Sequence, residues 1–347
     1  MPSLRVRPRG ADQRSPADTH LPVAMPVMLA TALVISAMAS LAWGSNHLSV
    51  GSVMTGLLDP SHDEGSIVWG SRVPRTVLGL MVGACLGVAG AVMQGQTRNP
   101  LADPGLFGVS AGASLAVVVG VYVWDLTSVL AILWLAFTGA LLASVAVFTI
   151  AALGRGLVSP VPLALAGTAV TALLSAMTSF LVLTDQDTLA AYRIWVVGSL
   201  SGRTLDGLGP AMALAALGAL LAGVNVRSLD AMALGPELAL GLGESLLRAR
   251  LVGLGAITLL TASAVAVTGP IAFVGLTAPH VARALVGASH ARLLPVSACV
   301  GATVLLSADV LGRMLRGSSE VSVGVVLSVL GGAAFVLIVR RGRVSEL

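Results

Sequence analysis

The sequence predicts an all-α, polytopic integral membrane protein with about ten transmembrane helices, and three observations carry that prediction. Of its 347 residues, 56% are hydrophobic and only 10% are charged, where a soluble domain carries about 25% charged residues. Apolar runs of about 20 residues, long enough to cross a bilayer as helix, recur along the whole chain. No stretch shows the period-two alternation of a half-buried strand, and no short repeat is visible. Together these exclude a soluble globule.

Taken in order, residues 1–20 are polar and rich in Arg and Pro, and read as a flexible cytoplasmic tail ahead of a single transmembrane domain over 21–347. A basic start before an apolar run can also be a secretory signal. Here the run from about 22 to 43 is long enough to span, so it reads as a retained first helix. A polar loop is expected over 45–71. Further spans are expected at about 74–94, 106–123, 129–153 and 161–183. A shorter segment, about 189–200, holds Arg193 and Trp195 and reads as re-entrant or interfacial. The sixth span, about 207–225, leads to a Gly-punctuated loop over 227–247. Four spans follow, at about 248–267, 271–287, 294–312 and 322–340.

The arginines orient these spans. With the N-terminus in the cytoplasm, the inner side receives 14 of them and the outer side only Arg72, Arg75, Arg193, Arg203, Arg313 and Arg316. That asymmetry satisfies the positive-inside rule and puts both termini in the cytoplasm. The five tryptophans, Trp43, Trp69, Trp124, Trp134 and Trp195, all fall near outer ends of spans, as an interfacial belt would.

All 20 basic residues are Arg. A Walker A loop needs a Lys to reach the nucleotide phosphates, so ATP chemistry would have to sit on a partner. Cys85 and Cys299 lie in apolar runs, with no metal spacing and no disulfide framework, and read as buried thiols. The pI near 10 comes without stacking aromatics beside the basic residues, which argues against nucleic acid as a partner.

The stretch around which the rest is organised runs from Arg72 to Gly112. It opens on Arg72-Val73-Pro74-Arg75 and continues as an apolar helix with Gly79, Gly83 and Gly87 on one face. Small residues at that spacing let a second helix approach closely in a bilayer. A polar loop from Arg98 to Pro104 interrupts it and must lie at a surface or line a cavity. The strings R-x-P-R, G-A-x-L-x-x-x-G-A-x-x-Q ending at Gln94, and N-P-L-A-D-P-G-x-x-G-V-S-A-G starting at Asn99-Pro100 resemble the FecCD-type membrane permeases of type II ABC importers. Further matches lie at Gly269–Gly287 and Ala308–Gly324, and the resemblance covers roughly residues 25–340. Two strings depart from the pattern: Glu320-Val321-Ser322-Val323-Gly324 lacks the expected proline, and Gly331-Gly332-Ala333-Ala334-Phe335 replaces a Gly-Ala-Pro-Phe-Phe-like string.

The resemblance implies a permease subunit working as a homodimer or heterodimer in the cytoplasmic (inner) membrane. It implies import of a bulky metal chelate, foremost an iron(III)-siderophore, with haem and cobalamin as the other cargoes of such proteins. It implies no cofactor and no metal on this chain, with ATP and Mg²⁺ held by separate ATP-binding cassette subunits. Its other partners would be an extracytoplasmic substrate-binding protein and the lipid bilayer.

Individual residues then acquire roles. Arg72, Arg75 and Arg313 sit where positive charge is disfavoured. Interface snorkelling would account for them, as would guanidinium forks offered to carboxylates on an external protein. The resemblance implies the second, with acidic residues of the binding protein as partners. The loop 227–247 has two short apolar-faced pieces, about 229–235 and 237–243, broken at Gly235-Pro236, and reads as a docking knob. The resemblance maps an ATPase-coupling pattern there onto Ala233, Leu234, Gly235, Ala239, Leu242 and Gly243. Gly167, Thr168, Thr171, Ser175 and Thr178 form a small, weakly polar stripe that serves helix packing or lines a wide path; the resemblance favours the path, together with the motif residues Gln94, Asn99, Pro100, Pro279 and His280. His280 has no second ligand at helical spacing and reads as a structural histidine. Asp309 is a costly intramembrane charge, expected to pair with Arg313 one turn on.

Two other classes compete. A secondary transporter driven by an ion gradient needs intramembrane carboxylates facing a cavity, and Asp309 is the only deep one. An intramembrane serine protease built on Gly108-Val109-Ser110-Ala111-Gly112 needs Ser110 within hydrogen-bond reach of His280.

Overall fold

A computed structural model describes residues 24–44, 48–60, 63–153, 160–205, 207–315 and 320–340. The tail over 1–20, Arg155, Arg316, Arg341 and Arg343 lie outside the described residues, and so do both termini whose side was expected to be cytoplasmic. Every regular element among the described residues is helical.

The chain enters through α1 (Ala24–Ala42), mostly exposed on its apolar side chains. Two short helices, α2 (Val50–Leu58) and α3 (Asp63–Ile67), stand where the sequence predicted a plain loop over 45–71. Ser49 caps α2 by accepting the Ser52 N–H at 3.0 Å. Val53, Gly56 and Val68 are buried, with Gly56 against Val68, and this small apolar contact folds the segment onto the bundle. From α3 the helix continues through a π-helical turn, Val68–Arg72, into α4 (Val73–Thr97), so that Glu64–Thr97 is one helix of 34 residues.

α4 is buried on nearly every side, and its neighbours are α12 (Leu246–Thr268), α13 (Val274–Val286) and α14 (His290–Met314). The predicted glycine face explains how. A Cβ on Gly79 would strike Leu306, one on Gly83 the backbone at Gly301 and Ala302, and one on Gly87 the Ser297 carbonyl; all belong to α14. Gly90 continues the seam against the Gly275 carbonyl of α13. Pro279 lacks the N–H that would have bonded that carbonyl within α13, so the same proline that interrupts one helix leaves an oxygen facing the next.

Arg98, left-handed at φ 49°, ends α4, and the Asn99 N–H returns to the Gln94 carbonyl at 3.2 Å. Asn99 Oδ1 then accepts the Leu101 N–H at 2.9 Å, an Asx-turn that starts the polar loop. Asp103 caps a 3₁₀ turn, Pro104–Phe107, through the Gly105 N–H at 2.8 Å. A second group of helices follows: α5 (Val109–Trp124), α6 (Val129–Leu153) and α7 (Pro160–Thr184). α5 packs on α6 through mutual contact of Gly112 and Gly139. The GxSxG string thus serves helix packing: Gly108 is a left-handed cap and Gly112 a close approach.

Asp185 caps α8 (Gln186–Val196), where a short interfacial helix was expected. Trp195 on α8 is 4% exposed, so it leaves the expected aromatic belt; its carbonyl lies against Gly269, and packing holds it inside. Trp43, Trp69, Trp124 and Trp134 are exposed. After α9 (Leu208–Val224) come α10 (Val226–Ala233), α11 (Pro236–Gly241) and the helices α12 to α14 already placed; α15 (Val323–Arg340) closes the described chain.

By length and composition, six helices among the described residues can cross a bilayer, or seven if α9 and α10, bent by 48°, form one span. α5 is apolar but shorter, and α13 has only 13 residues where a span over 271–287 was expected. α13 is short because residues 269–272 are not helical: Gly269 (φ 77°) and Phe273 (φ 69°) both sit in the left-handed region. Three such breaks converge. Ser199 N–H bonds the Thr268 carbonyl at 2.9 Å, and Gly324 N–H bonds the Gly198 carbonyl at 3.1 Å. Beside them lies a cavity of about 310 Å³ lined by Asp103, Ser110, Thr261, Pro270 and Ser328, among others. Irregular backbone is tolerated at membrane depth in this setting, inside protein and beside a cavity.

Candidate functional site

Two constellations occupy opposite ends of α4 and α14. Both helices have 25 residues, about 37 Å at 1.5 Å per residue.

At the start of α4 and the end of α14 the arginines converge. Asp309 is fully buried, and Arg75 grips it with Nε at 2.9 and 3.1 Å and Nη2 at 2.9 Å. Arg313 reaches the same carboxylate through Nη2 at 3.1 Å, the pairing one turn apart that the sequence led us to expect. Arg75 Nη1 donates to Glu320 at 2.6 Å, and the Ser201 hydroxyl donates to Glu320 at 3.0 Å. Arg313 Nη1 donates to the carbonyls of Ser40 and Trp43, and Arg72 Nη1 to the Trp43 carbonyl. Burial alone would raise the Glu320 carboxyl; the Arg75 hydrogen bond and charge outweigh it and hold the group below the usual carboxylate range.

Arg72, Arg75 and Arg313 are therefore at most 8% exposed. The forks read from the sequence are turned, in the structure, toward Asp309, Glu320 and the carbonyls of Ser40 and Trp43. An intramembrane carboxylate costs least when guanidiniums surround it, and Asp309 draws two of the three inward. A cavity of about 240 Å³ opens beside the cluster. Arg72, Arg75, Arg203, Arg313 and Glu320 line it, and exposed Ser71, Ser201 and Gly202 form its rim. Arg203 is half-buried and, among the described residues, has no hydrogen-bond or ion-pair partner. Burial pushes its pKa down. Sequence reading placed Arg203 outside but gave it no role.

At the other end, α10 and α11 form the two short helices expected within 227–247. Gly235 (φ 112°) breaks them, and Gly243 (φ 83°) ends the unit. Leu234, Leu238, Leu240 and Leu242 are 58–67% exposed, whereas Ala239 is buried and Ala233 and Gly235 are half-buried. The result is a leucine-covered knob on a small buried foot. Sequence reading missed how it is tied down. Asp230 of α10 accepts the backbone N–H of His290, the first residue of α14, at 2.8 Å, and meets His290 Nδ1 at 2.6 Å. A carboxylate at a helix N-terminus satisfies an orphan donor and complements the dipole. Nothing local marks the pair, which is 60 residues apart.

The expected path residues divide. Thr168 and Ser175 are exposed on α7, and Thr171 is half-buried. Gly167 and Pro279 are buried in packing, and Gln94 is fully buried, accepting from Arg283 Nη1 at 3.2 Å and donating to the Leu276 carbonyl at 3.3 Å. Each of these three fills space or satisfies a polar group between helices. Asn99 is exposed and Pro100 half-buried in the loop after α4; His280 is half-buried. Among the described residues no hydrogen bond joins Ser110 to His280, and no group of three or more His, Cys, Asp or Glu could hold a metal.

Comparison with known proteins identifies the scaffold. The FecCD transport family model matches residues 32–341. The chain belongs to the FecCD transport family. It is 41% identical over 320 residues to the ferric enterobactin transport system permease protein FepD of Escherichia coli (strain K12), covering 92% of this chain and 95% of FepD. It is 35% identical to the Fe(3+)-citrate import system permease protein YfmE of Bacillus subtilis (strain 168), covering 90% and 94% of the two chains. Its fold matches an inward-facing metal-chelate type ABC transporter at TM-score 0.78 and 28% identity, covering 90% of this chain and 97% of the other. A FecCD member is a permease subunit of a multi-pass membrane transporter, with ATP hydrolysis on a separate subunit, and is not an enzyme. That disposes of the protease reading, and Asp309, enclosed by Arg75 and Arg313, is no open ion site.

Proposed function

We propose that this chain is the membrane permease of an ATP-driven importer for an iron(III)-siderophore, delivered by an extracytoplasmic binding protein. The observation that carries the reading is the leucine-covered knob of α10 and α11, set at the opposite end of α4 and α14 from the arginine cluster. Four exposed leucines on a tethered helical unit favour a protein partner. We assign that partner as an ATP-binding cassette subunit, which would hold ATP and Mg²⁺. The binding protein would dock at the arginine end. The relatives named for ferric enterobactin and Fe(3+)-citrate support a ferric chelate as cargo.

A second permease, identical or homologous, would complete the path. α7 supports this, since it packs on α5, α6 and α8 and leaves Thr168, Ala172, Ser175 and Ser179 exposed along one face. Hydroxyls and methyls on such a wall would let a bulky chelate pass without holding it. The arginine asymmetry favours the cytoplasmic membrane with both termini inside.

The test replaces Leu234 and Leu242 together with Glu. Co-purification of the ATPase should be lost while the permease keeps its elution profile and thermal midpoint. An ATPase that stays bound to the charged knob would refute the docking assignment.

A further inference from the structure

We propose that the cavity of about 310 Å³ at the converging helix breaks binds a monovalent alkali cation, held by the Asp103 carboxylate with the hydroxyls of Ser110 and Thr261. The site goes beyond the importer reading and does not depend on which cargo is carried.

Four observations carry it. The first is an uncompensated charge. Asp103 Oδ1 accepts the Gly105 N–H at 2.8 Å, and Oδ2 has no hydrogen-bond or ion-pair partner among the described residues. Among the described residues that line the cavity, no other side chain is charged. The second is depth. Asp103 Oδ2 lies 3.3 Å from where a Cβ on Gly275 would stand. Gly275 in turn abuts Gly90 of α4, about 10 Å along that helix from its end at Thr97. The third is a set of open oxygens. Thr261 is 2% exposed and its hydroxyl has no hydrogen-bond partner. The half-buried Ser110 hydroxyl has none among the described residues either. Ser328, on the exposed side, donates to the Gly324 carbonyl at 2.7 Å and keeps its lone pairs. The fourth is the field of the helices. α8 and α12 end at the cavity and α13 begins there, so two negative helix ends stand against one positive end.

A carboxylate at this depth without a counter-charge is costly. Water satisfies the hydroxyls but leaves the charge in place. A proton cancels the charge, but its single O–H reaches a single oxygen. A cation cancels the charge and draws on several oxygens at once, and unwound backbone with helix C-termini is the setting in which broken-helix transporters hold Na⁺. One carboxylate matches one positive charge, and an all-oxygen lining suits a hard ion. The ion is therefore an alkali cation. The volume, about ten waters at about 30 Å³ each, leaves it part of its hydration shell. Bound there, it joins the loop after α4 to α5 and α12.

The experiment uses the complete transporter in lipid nanodiscs. Equilibrium dialysis measures retention of radioactive Na⁺, and of Rb⁺ standing for K⁺. Tryptophan fluorescence follows the thermal midpoint while choline chloride is exchanged for NaCl or KCl at constant ionic strength. Wild type should retain one alkali ion per permease, and its midpoint should rise by about 3 °C between about 1 and 100 mM of that ion. Thr261→Val should bind it about tenfold more weakly. Asp103→Asn keeps an oxygen for the Gly105 N–H and removes the charge. It should retain no ion, and its midpoint in choline should equal or exceed that of wild type; a purely structural Asp103 predicts a lower midpoint in every salt. If the asparagine variant misfolds, Ser110→Ala takes its place, with weakened ion binding expected and unchanged binding counting against the site. A wild type that retains neither ion, with a midpoint indifferent to the exchange for choline, would overturn the proposal and leave Asp103 protonated or hydrated. Wild-type ion affinity in a folded Asp103→Asn would overturn it as well.

Discussion

Replacing Asp309 with Ala removes one carboxylate and strands two guanidiniums. Arg75 would lose its bonds at 2.9 to 3.1 Å and keep only Nη1 on Glu320. Arg313 would lose the pair at 3.1 Å and keep the carbonyls of Ser40 and Trp43. Breaking a buried ion pair by removing one partner costs about 3–5 kcal/mol. Since Arg75 retains Glu320 and Arg313 retains two carbonyls, the lower end applies, about 3 kcal/mol. That is a factor of about 100 in the folding equilibrium. A titration with sodium dodecyl sulfate in mixed micelles, followed by tryptophan fluorescence, measures it. The apolar triple replacement Arg75→Met, Asp309→Leu and Arg313→Met should recover most of the loss, because the carboxylate and the two guanidiniums that grip it are removed together. An alanine variant within about 0.5 kcal/mol of wild type, or a triple variant no better than the single one, would show that the cluster does not carry this energy.

Three further outcomes follow from other features. Gly87→Val places a branched side chain against the Ser297 backbone carbonyl and should cost about 3 kcal/mol or more, seen as loss of monodisperse protein on size exclusion; Gly70→Val, with open space around it, is the control. Glu320 titrates below the usual carboxylate range in the folded protein, so its stabilisation is complete above about pH 4.3, the unfolded value, and is lost as pH falls through the lower folded value. Glu320→Gln should flatten that acidic limb of stability, and an unaltered limb contradicts the assignment. Cysteines at Ser71 and at Glu237, both exposed and at opposite ends of the bundle, should react with an impermeant thiol reagent from opposite sides of the membrane; reaction from one side would contradict the topology.

Much of the fold was legible because bilayer physics writes itself into composition. Long apolar runs marked the spanning helices, and the spacing of Gly79, Gly83 and Gly87 marked the seam that α14 fills. The Gly235-Pro236 break marked the knob correctly, because turn chemistry is local. The breaks at 197–204 and 269–273 were not legible as such: the bonds that tie them together, from Ser199 to Thr268 and from Gly324 to Gly198, run across 69 or more residues. The same reason hid the inward turn of the arginines. Asp309 and Arg313 are one helical turn apart and were paired from the sequence, but Arg75 lies 234 residues from Asp309 and was read by its end of the membrane alone. The bond from Asp230 to His290 also spans separate helices and had no pattern to announce it.

The seam between α4 and α14 has a mechanical consequence. At Gly83, Gly87 and Gly301 the two main chains touch with no side chain between them, and at one end Arg75 bolts α4 to Asp309 of α14. Side chains can slip past each other by changing rotamer, but peptide groups in direct contact have no such slack. The pair therefore behaves as a single strut across the membrane, one end at the arginine cavity and the other roped to the leucine knob through His290 and Asp230. A strut conveys force without bending. Whatever tilts the knob must tilt the whole beam, and the give has to come at looser joints, such as α7 with its long unburied flank.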